Sequence, residues 1–451
     1  MDLAPFGYVQ EEYFYSGAAT AYTSAAPLTE DGAWTATPTS TAPYATRMVV
    51  IRPEDPADFN GTVFVEWLNV TSGADSAPSW TQSHLEMLRE GAAWVGVSAQ
   101  AVGVQGGQAA VEGVPAGGLK GGNPERYGSL GHPGDSYSFD IFSQAARAVR
   151  GEGTSKPLGP LKAKRVIGTG ESQSASRLVT YINGIHPVAE VFDGFLVHSR
   201  SGSAAALSQA PLTDVPAPLP TRIRTDLREP VLVFQAESDV GPLGGAAARQ
   251  PDTKRIRTWE VAGTAHADVY TTAGFGDSGD GSVERALLDY TNLSLGPLNC
   301  LTPINAGPLY AVLMAGVEHL DGWVRDGTPP PKGAPLEVTD GPGRTVGGRI
   351  VPNYIVTRDE YGNAVGGIRT PLVDAPRAAL TGELNAGGRF CSLFGTTTPL
   401  DAATLAALYP SRDAFLAQFD KETKRAVKAG FLLPEEAKKL RAAAAQVPYG
   451  G

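Results

Sequence analysis

The chain has 451 residues, of which 42% are hydrophobic and 19% are charged, and its formal net charge is −10. This length holds two domains or one enlarged domain, and the composition is that of a folded globular protein rather than of a low-complexity chain. A negatively charged surface repels phosphate backbones and anionic lipids, which argues against nucleic acid and membrane surfaces as partners.

Strands alternate with helices over residues 45–270. The runs with strand character are 45–51, 61–68, 92–98, 163–168, 191–198, 230–235 and 257–261. The runs with helical spacing are 79–89, 136–150 with Asp135 as its N-cap, and 174–185. This order predicts an α/β fold with an open, mostly parallel sheet that helices cover on both faces.

The two ends of the chain differ from this middle part. Residues 1–44 are rich in Ala, Thr, Tyr and Pro and are predicted to be an extended lead-in with short strands. After residue 270 the pattern predicts helices at 282–293, 309–325, 400–408, 412–429 and 434–446, and a strand at 351–356. We expect residues 45–298 to form the core domain and residues 299–451 to pack on it as a lid-like extension.

Membrane and export signals are not evident. No uncharged apolar run approaches the roughly 18 residues that span a bilayer, and the N-terminus lacks the basic and apolar segments of a signal peptide. The two cysteines, Cys300 and Cys391, are too few for a zinc site. A disulfide between them would favour a secreted protein whose signal peptide has been removed, whereas two buried thiols would suit the cytoplasm.

The stretch with the most chemical information is Gly170-Glu-Ser-Gln-Ser174, which directly follows a strand and opens a helix. Gly170 and Ser174 flank Ser172 at two residues on either side, and both are small enough for a sharp backbone turn. Such a turn exposes the Ser172 hydroxyl at its apex, as in the G-x-S-x-G nucleophile elbow. The departure is Ser174 in place of the last glycine, and the alternative role of Ser172 is to cap the helix.

A serine nucleophile needs a general base, which in this architecture comes late in the chain, after an acid. Of six histidines, His266 is the predicted base because it follows the last strand in a loop of small residues. The others suit structural roles: His84 and His319 within helices, His186 at a helix end, His132 in a turn, and His198 at a strand end where it could line the pocket. The Gly-rich run 103–122 lacks the GxxxxGK[ST] pattern of a phosphate loop.

The triad acid is expected just after the strand 230–235. Asp239 and Glu237 are both available there; the position of Asp239 favours it, and Glu237 is the alternative. The oxyanion of an acyl-transfer intermediate also needs donors, for which the backbone N–H of Gln173 is one candidate. Asn69 or Val70, beyond an early strand, is the candidate for the second.

Taken together, these motifs resemble an α/β-hydrolase, and more narrowly a sparsely characterised bacterial family of alpha/beta hydrolase domain proteins. The matching runs are 65–73 (VEWLNVTSG), 170–177 (GESQSASR), 235–239 (QAESD), 263–268 (GTAHAD), 362–371 (GNAVGGIRTP) and 391–400 (CSLFGTTTPL). They extend over nearly the whole chain. The resemblance implies Ser172 as nucleophile, His266 as base and an acid within 235–239.

The function expected from these residues is hydrolysis of small-molecule carboxylic esters through an acyl-enzyme on Ser172, as in an esterase. This chemistry requires no metal or organic cofactor. Two other functions remain open from the sequence: an acyltransferase that uses the same residues, and a non-catalytic binding protein on a hydrolase scaffold.

Overall fold

Strands and helices alternate along most of the chain, of which the computed structural model describes residues 1–108, 115–153, 155–346 and 349–449. The strands are β1 (Tyr8–Thr23), β2 (Thr37–Pro53), β3 (Thr62–Trp67), β4 (Ala93–Val97), β5 (Gly107–Gln108), β6 (Pro115–Ala116), β7 (Arg165–Glu171), β8 (Gly194–His198), β9 (Val231–Ala236), β10 (Ile256–Val261), β11 (Val338–Asp340), β12 (Arg344–Val346), β13 (Arg349–Val351), β14 (Tyr354–Val356), β15 (Ala378–Thr381) and β16 (Thr396–Pro399). The α-helices are α1 (Pro78–Arg89), α2 (Ala101–Gln105), α3 (Gly118–Gly122), α4 (Pro124–Tyr127), α5 (Ser138–Val149), α6 (Gln173–Thr180), α7 (His186–Ala189), α8 (Glu237–Val240), α9 (Val269–Ala273), α10 (Ser282–Leu288), α11 (Leu309–Asp326), α12 (Pro371–Asp374), α13 (Ala402–Leu408), α14 (Arg412–Ala429) and α15 (Pro434–Gln446).

One eight-stranded sheet organises the molecule, with the strand order β1-β2-β4-β3-β7-β8-β9-β10. Every neighbouring pair from β4 to β10 is parallel, and only the pairs β1–β2 and β2–β4 are antiparallel. The predicted α/β fold with a mostly parallel sheet is therefore confirmed. Because parallel strands end at the same edge, the residues that follow β7, β9 and β10 lie close together.

Helices cover both faces of the sheet, so nearly all residues of its central strands are buried, and most of them are apolar. On β3, Val63, Val65 and Trp67 pack on the face that α5 and α6 cover. Phe64 points to the opposite face, where α1 and α11 lie. Each strand thus supplies both hydrophobic layers by simple alternation of its side chains.

The first 44 residues form more structure than expected. β1 and β2 are 16 and 17 residues long and pair antiparallel along their whole length, so the predicted lead-in is the outer hairpin of the main sheet. Many side chains of β1 are half-buried or exposed. Its Ala, Ser and Thr positions therefore carry little of the alternating hydrophobic signal by which strands are recognised.

The C-terminal region shares the core of the sheet. In α11, Leu313, Leu320 and Trp323 belong to the same buried cluster as Leu232 and Phe234 of β9. The boundary expected at residue 298 thus separates the sheet from a helix that covers one of its faces.

Some predicted elements differ in detail. Asp135 is not an N-cap but begins a 3-10 turn, and its carboxylate accepts a hydrogen bond from the Ala101 N–H at 2.8 Å. The helix predicted over 282–293 ends at Leu288, and the strand predicted over 351–356 divides into β13 and β14. Residues 109–114 of the predicted Gly-rich loop lie outside the described residues. In the described ranges, none of the helices has both the length and the apolar character that a membrane crossing needs.

Candidate active site

Ser172 occupies the turn between β7 and α6. Its φ of 58° and ψ of −117° lie in a region that non-glycine residues rarely adopt, so the turn holds the side chain at a strained apex. Gly170 permits the turn, because a Cβ at this position would lie 2.9 Å from the carbonyl oxygen of Ser174. The N–H of Ser172 donates to the carbonyl of His198 at 3.0 Å, which ties the apex to β8.

Ser174, where the usual elbow has glycine, is fully buried and has a hydrogen-bond partner. Its hydroxyl donates to the carbonyl of Leu68, just after β3, at 3.2 Å. A small hydroxyl side chain therefore fits this crowded position between α6 and β3 without leaving a buried polar group unpaired.

His266 lies in the loop after β10, and its imidazole contacts both Ser172 and Asp239. Nε2 is 2.8 Å from Ser172 Oγ, and Nδ1 is 2.6 Å from Asp239 Oδ1. The other oxygen of Asp239, Oδ2, accepts the N–H of Ala236 at 2.6 Å, which fixes the carboxylate at the end of β9. Three residues widely separated in the chain thus form one hydrogen-bonded line.

Glu237, the alternative acid, has other partners. Its Oε1 accepts the N–H of Gly263 at 2.5 Å, and its Oε2 accepts from Arg358 Nη1 at 2.7 Å and from the N–H of Gly382 at 2.9 Å. Of the two carboxylates that the sequence left open, it is Asp239 that reaches the imidazole. Glu237 instead joins the His266 loop to the C-terminal region.

The candidate oxyanion donors differ in availability. The backbone N–H of Asn69 donates to the Ser76 carbonyl at 2.9 Å, and its side-chain amide donates to Glu171. The backbone N–H and the side-chain amide of Asn69 both already have acceptors. Of Asn69 and Val70, only Val70 is therefore available as an oxyanion donor. Gln173 is the first residue of α6, where helix geometry leaves the N–H without an intrahelical acceptor. Within the described ranges, neither this N–H nor that of Val70 has a hydrogen-bond acceptor.

Glu171 is a further residue of the site, and its place there was not predicted from the sequence. Its Oε1 lies 3.2 Å from Nε2 of His266, and its side chain is almost completely buried. Burial raises the pKa of Glu171 to about 7, although the charge of His266 opposes this shift. The sequence did hold one indication of this role. Glu171 directly precedes Ser172, so it ends strand β7 at the edge of the sheet where the site lies.

Two carboxylates therefore act on one imidazole. Burial by itself would lower the pKa of His266, but the charges of Glu171 and Asp239 outweigh it and raise this pKa to about 9.

His198, which could line the pocket by its position, lies at the end of β8 beneath the elbow. Its Nδ1 is 3.2 Å from Ser79 Oγ. Burial, together with the charge of His266, lowers the pKa of His198 to about 3, so the ring is neutral. The remaining histidines bond to structural partners: His84 to the Asp277 carbonyl, His132 to the Ala99 carbonyl, His186 to Glu229 and His319 to the Gly430 carbonyl.

In the part of the chain that the structure describes, no group of three or more His, Cys, Asp or Glu side chains is arranged to hold a metal ion.

Comparison with known proteins identifies one family. A family model described as "Alpha/beta hydrolase domain" matches residues 1–442. A search of curated proteins finds no match.

Similar solved structures include hydrolases of several kinds. A thermostable esterase from Pseudomonas putida ECU1011 is 14% identical with a TM-score of 0.29, and the match covers 58% of this chain and 74% of that one. A carboxylesterase from Lactobacillus plantarum WCFS1 is 11% identical with a TM-score of 0.27, covering 52% and 76%. A prolyl endopeptidase is 13% identical with a TM-score of 0.29; the match covers 57% of this chain and only 35% of the endopeptidase.

Proposed function

Because this chain belongs to the alpha/beta hydrolase domain family, we propose that it is a serine hydrolase that cleaves carboxylic esters through an acyl-enzyme on Ser172. The observation that carries the proposal is the line of hydrogen bonds from Ser172 through His266 to Asp239, with distances of 2.8 Å and 2.6 Å. A serine hydroxyl is a weak nucleophile unless a neighbouring base accepts its proton, and this line supplies that base.

In the first step, Ser172 Oγ attacks the ester carbonyl carbon while its proton moves to Nε2 of His266. Asp239 accepts the Nδ1–H, which keeps Nε2 as the basic nitrogen and stabilises the imidazolium that forms. The negative charge that develops on the carbonyl oxygen is held by the N–H groups of Gln173 and Val70.

In the second step, the imidazolium donates its Nε2 proton to the leaving alkoxide, and the acyl group stays on Ser172. Water then attacks the acyl-enzyme with His266 again as the base, and the acid is released. Each proton that His266 accepts is returned within the same half-reaction, so the site needs no external acid.

The proposal is tested by replacing the nucleophile and assaying turnover of an activated aryl ester. Ser172→Ala should lower kcat by at least ~10³-fold, because it removes the hydroxyl that bonds to His266 Nε2, and among the described residues no other hydroxyl bonds to this nitrogen. The matched control is Ser176→Ala, one helical turn further along α6, which should retain turnover close to that of the parent. A Ser172→Ala variant with near-parent activity would remove the assignment.

The same assay distinguishes other reactions. An anilide with the same acyl group measures amide cleavage, and added primary alcohol reveals transfer of the acyl group to an acceptor other than water. We expect the ester to be the better substrate and hydrolysis to dominate. A preference for the anilide, transfer that outpaces hydrolysis, or no reaction of Ser172 with any of these compounds would contradict the proposed activity.

A further inference from the structure

The imidazole of His266 has a carboxylate at each nitrogen. Asp239 is 2.6 Å from Nδ1, and Glu171 is 3.2 Å from Nε2, the nitrogen that also faces Ser172 Oγ. Asp239 is fully buried and the Glu171 side chain is only 8% exposed, so water screens neither charge effectively. A histidine that acts with a single acid has nothing equivalent to Glu171 on its reactive side.

We propose that Glu171 is a positioning residue that holds the Nε2 proton of His266 during acyl transfer and thereby sets the pH range in which the enzyme works. This inference rests on the proposed function, since it assigns a role within the same reaction.

Glu171 is held rigidly in this place. It is the last residue of β7, and its main chain leads directly into the turn at Ser172. The side-chain amide of Asn69 donates to the backbone carbonyl oxygen of Glu171 at 3.1 Å and to Glu171 Oε2 at 3.0 Å. Asn69 is itself fixed, because its N–H donates to Ser76 and its Oδ1 accepts the N–H of Thr71 at 2.8 Å. One oxygen of Glu171 is thus used for anchoring, and Oε1 is left for His266.

The geometry gives Glu171 a defined part in the proton transfers. When Ser172 transfers its proton to Nε2, the resulting N–H lies within reach of Glu171 Oε1, and a charge-assisted hydrogen bond stabilises the imidazolium. The proton then passes from Nε2 to the leaving alkoxide. Above its pKa of about 7, Glu171 remains a carboxylate throughout and forms no covalent bond, so the reaction balances without it.

The same contact also stabilises the imidazolium before substrate reacts. The groups around His266 are Asp239 from α8, Glu171 from β7 and the neutral His198 from β8. Behind Glu171, Glu66 of β3 is bound by the N–H groups of Ser79 and Trp80. The neutral imidazole that accepts the Ser172 proton is therefore formed only at raised pH, which agrees with the pKa of His266 at about 9.

The test is the pH profile of kcat/KM for an activated aryl ester in Glu171→Gln, which keeps the shape of the side chain and removes its charge. We expect the acid limb to move to lower pH by about one unit or more, and the plateau at high pH to fall by about 10-fold. If Glu171 has only a structural role, Glu171→Gln should lower the high-pH plateau of kcat/KM but leave the acid limb at the pH of the parent. That result would overturn the inference.

Glu260→Gln is the matched control. Glu260 is also buried, on the strand that leads to His266, but it binds Arg249 and the N–H of Leu336 rather than the imidazole. Its replacement should leave the acid limb where the parent has it. If Glu171→Gln fails to fold, Glu171→Asp withdraws the carboxylate from Nε2 by one methylene and should shift the limb in the same direction.

A second measurement does not depend on turnover. The His266 imidazole is titrated by NMR in Ser172→Ala and in the double variant that also carries Glu171→Gln, and the pKa should be lower in the double variant. An unchanged pKa overturns the inference even if Ser172 is the nucleophile. If the pKa of His266 falls in the double variant but the parent cleaves no ester, the proposed function is wrong. The stabilisation of the His266 imidazolium by Glu171 is then still supported.

Discussion

At the scale of single residues, two neighbouring carboxylates differ in what their side chains contact, and this separates the proposed catalytic role from a structural one. Glu237 and Asp239 are both buried in α8, yet Asp239 faces His266 and Glu237 faces Arg358. The sequence predicted that the acid follows β9 but did not decide between Asp239 and Glu237. The choice depends on the orientation of the short helix α8 and on contacts that Glu237 makes with residues 263, 358 and 382, far away in the chain.

The two carboxylates should respond differently to loss of charge. Asp239→Asn keeps the shape but favours the wrong imidazole tautomer, so kcat for an aryl ester should fall by ~10³–10⁴-fold. Glu237→Gln should keep kcat within about tenfold of the parent and instead lower the free energy of unfolding by roughly 1–3 kcal/mol. Arg358 then loses its buried carboxylate partner and keeps only the exposed Glu383. Steady-state kinetics and urea unfolding of both variants measure this, and the reverse pattern would make Glu237 the acid.

The role of Glu171 could not be predicted from the sequence for a similar reason. Its place before Ser172 was evident, but its contact with His266 depends on how the loop after β10 returns to the end of β7. The roles of Ser172 and His266 could be proposed from local pattern alone, because strand ends and small flanking residues are visible in the sequence. A contact between residues from two different strand ends at the sheet edge, such as that of Glu171 with His266, cannot be seen in the sequence.

At the scale of secondary-structure elements, the turn between β7 and α6 tolerates few side chains, because its backbone atoms lie close together. Gly170→Ala would place a methyl group 2.9 Å from the Ser174 carbonyl oxygen, so backbone atoms have to move. We expect a loss of about 1–3 kcal/mol in the free energy of unfolding. A displaced Ser172 should also lower kcat by ~10-fold or more.

Both losses are measured by urea unfolding and by aryl-ester kinetics on the same preparation. The comparison is Ser174→Ala, which removes the hydroxyl that bonds to the Leu68 carbonyl and, at 3.5 Å, to Gln173 Oε1. It should lower the free energy of unfolding by about 1 kcal/mol. Equal behaviour of the two variants would mean that Gly170 is not needed for the turn.

The loop that carries His266 depends on two segments joined by a disulfide. The N–H of Ala267 donates to the Leu393 carbonyl at 2.9 Å, and the N–H of Val269 donates to the Asn305 carbonyl at 2.9 Å. Cys300 and Cys391, which the sequence left as either bonded or free, form a disulfide between these segments. The disulfide therefore links the two segments that hold the loop of His266, the proposed base.

Removal of this disulfide should destabilise the protein strongly. The bond links residues 91 positions apart, and closing a loop of that length restricts the unfolded chain by about 4–5 kcal/mol. We expect the Cys300→Ser, Cys391→Ser double variant to show a lower Tm and a lower free energy of unfolding by an amount of this order. A Tm unchanged from that of the oxidised parent would contradict this role.

At the scale of the whole molecule, the sheet and the C-terminal region form a continuous core. Phe415 and Phe419 of α14 and Leu440 of α15 belong to the buried cluster that also contains Leu313 of α11 and Phe234 of β9. The sequence predicted the helices of this region at nearly the observed positions. That this region packs on the core was expected from the sequence. Which face of the sheet its helices cover was not predictable, because hydrophobic periodicity shows that a helix has a buried face and not what covers it.

Truncation distinguishes an integral part of the core from a detachable lid. A chain that ends at residue 298 lacks α11 and exposes the apolar face of β8 and β9, so it should be insoluble or lack a cooperative thermal transition. The full-length chain should unfold in a single transition, as followed by calorimetry and circular dichroism. A soluble, cooperatively folding 1–298 fragment would instead support a separable C-terminal lid.

The central claim is that the Ser172 hydroxyl is activated by His266, and covalent capture tests it most directly. The parent and His266→Ala are treated with a fluorophosphonate, digested and analysed by mass spectrometry. The account predicts a stoichiometric phosphonyl adduct on the peptide that contains Ser172 in the parent, and labelling slower by at least ~10³-fold in His266→Ala. An adduct on another residue, or equally fast labelling of Ser172 without the imidazole, would contradict it.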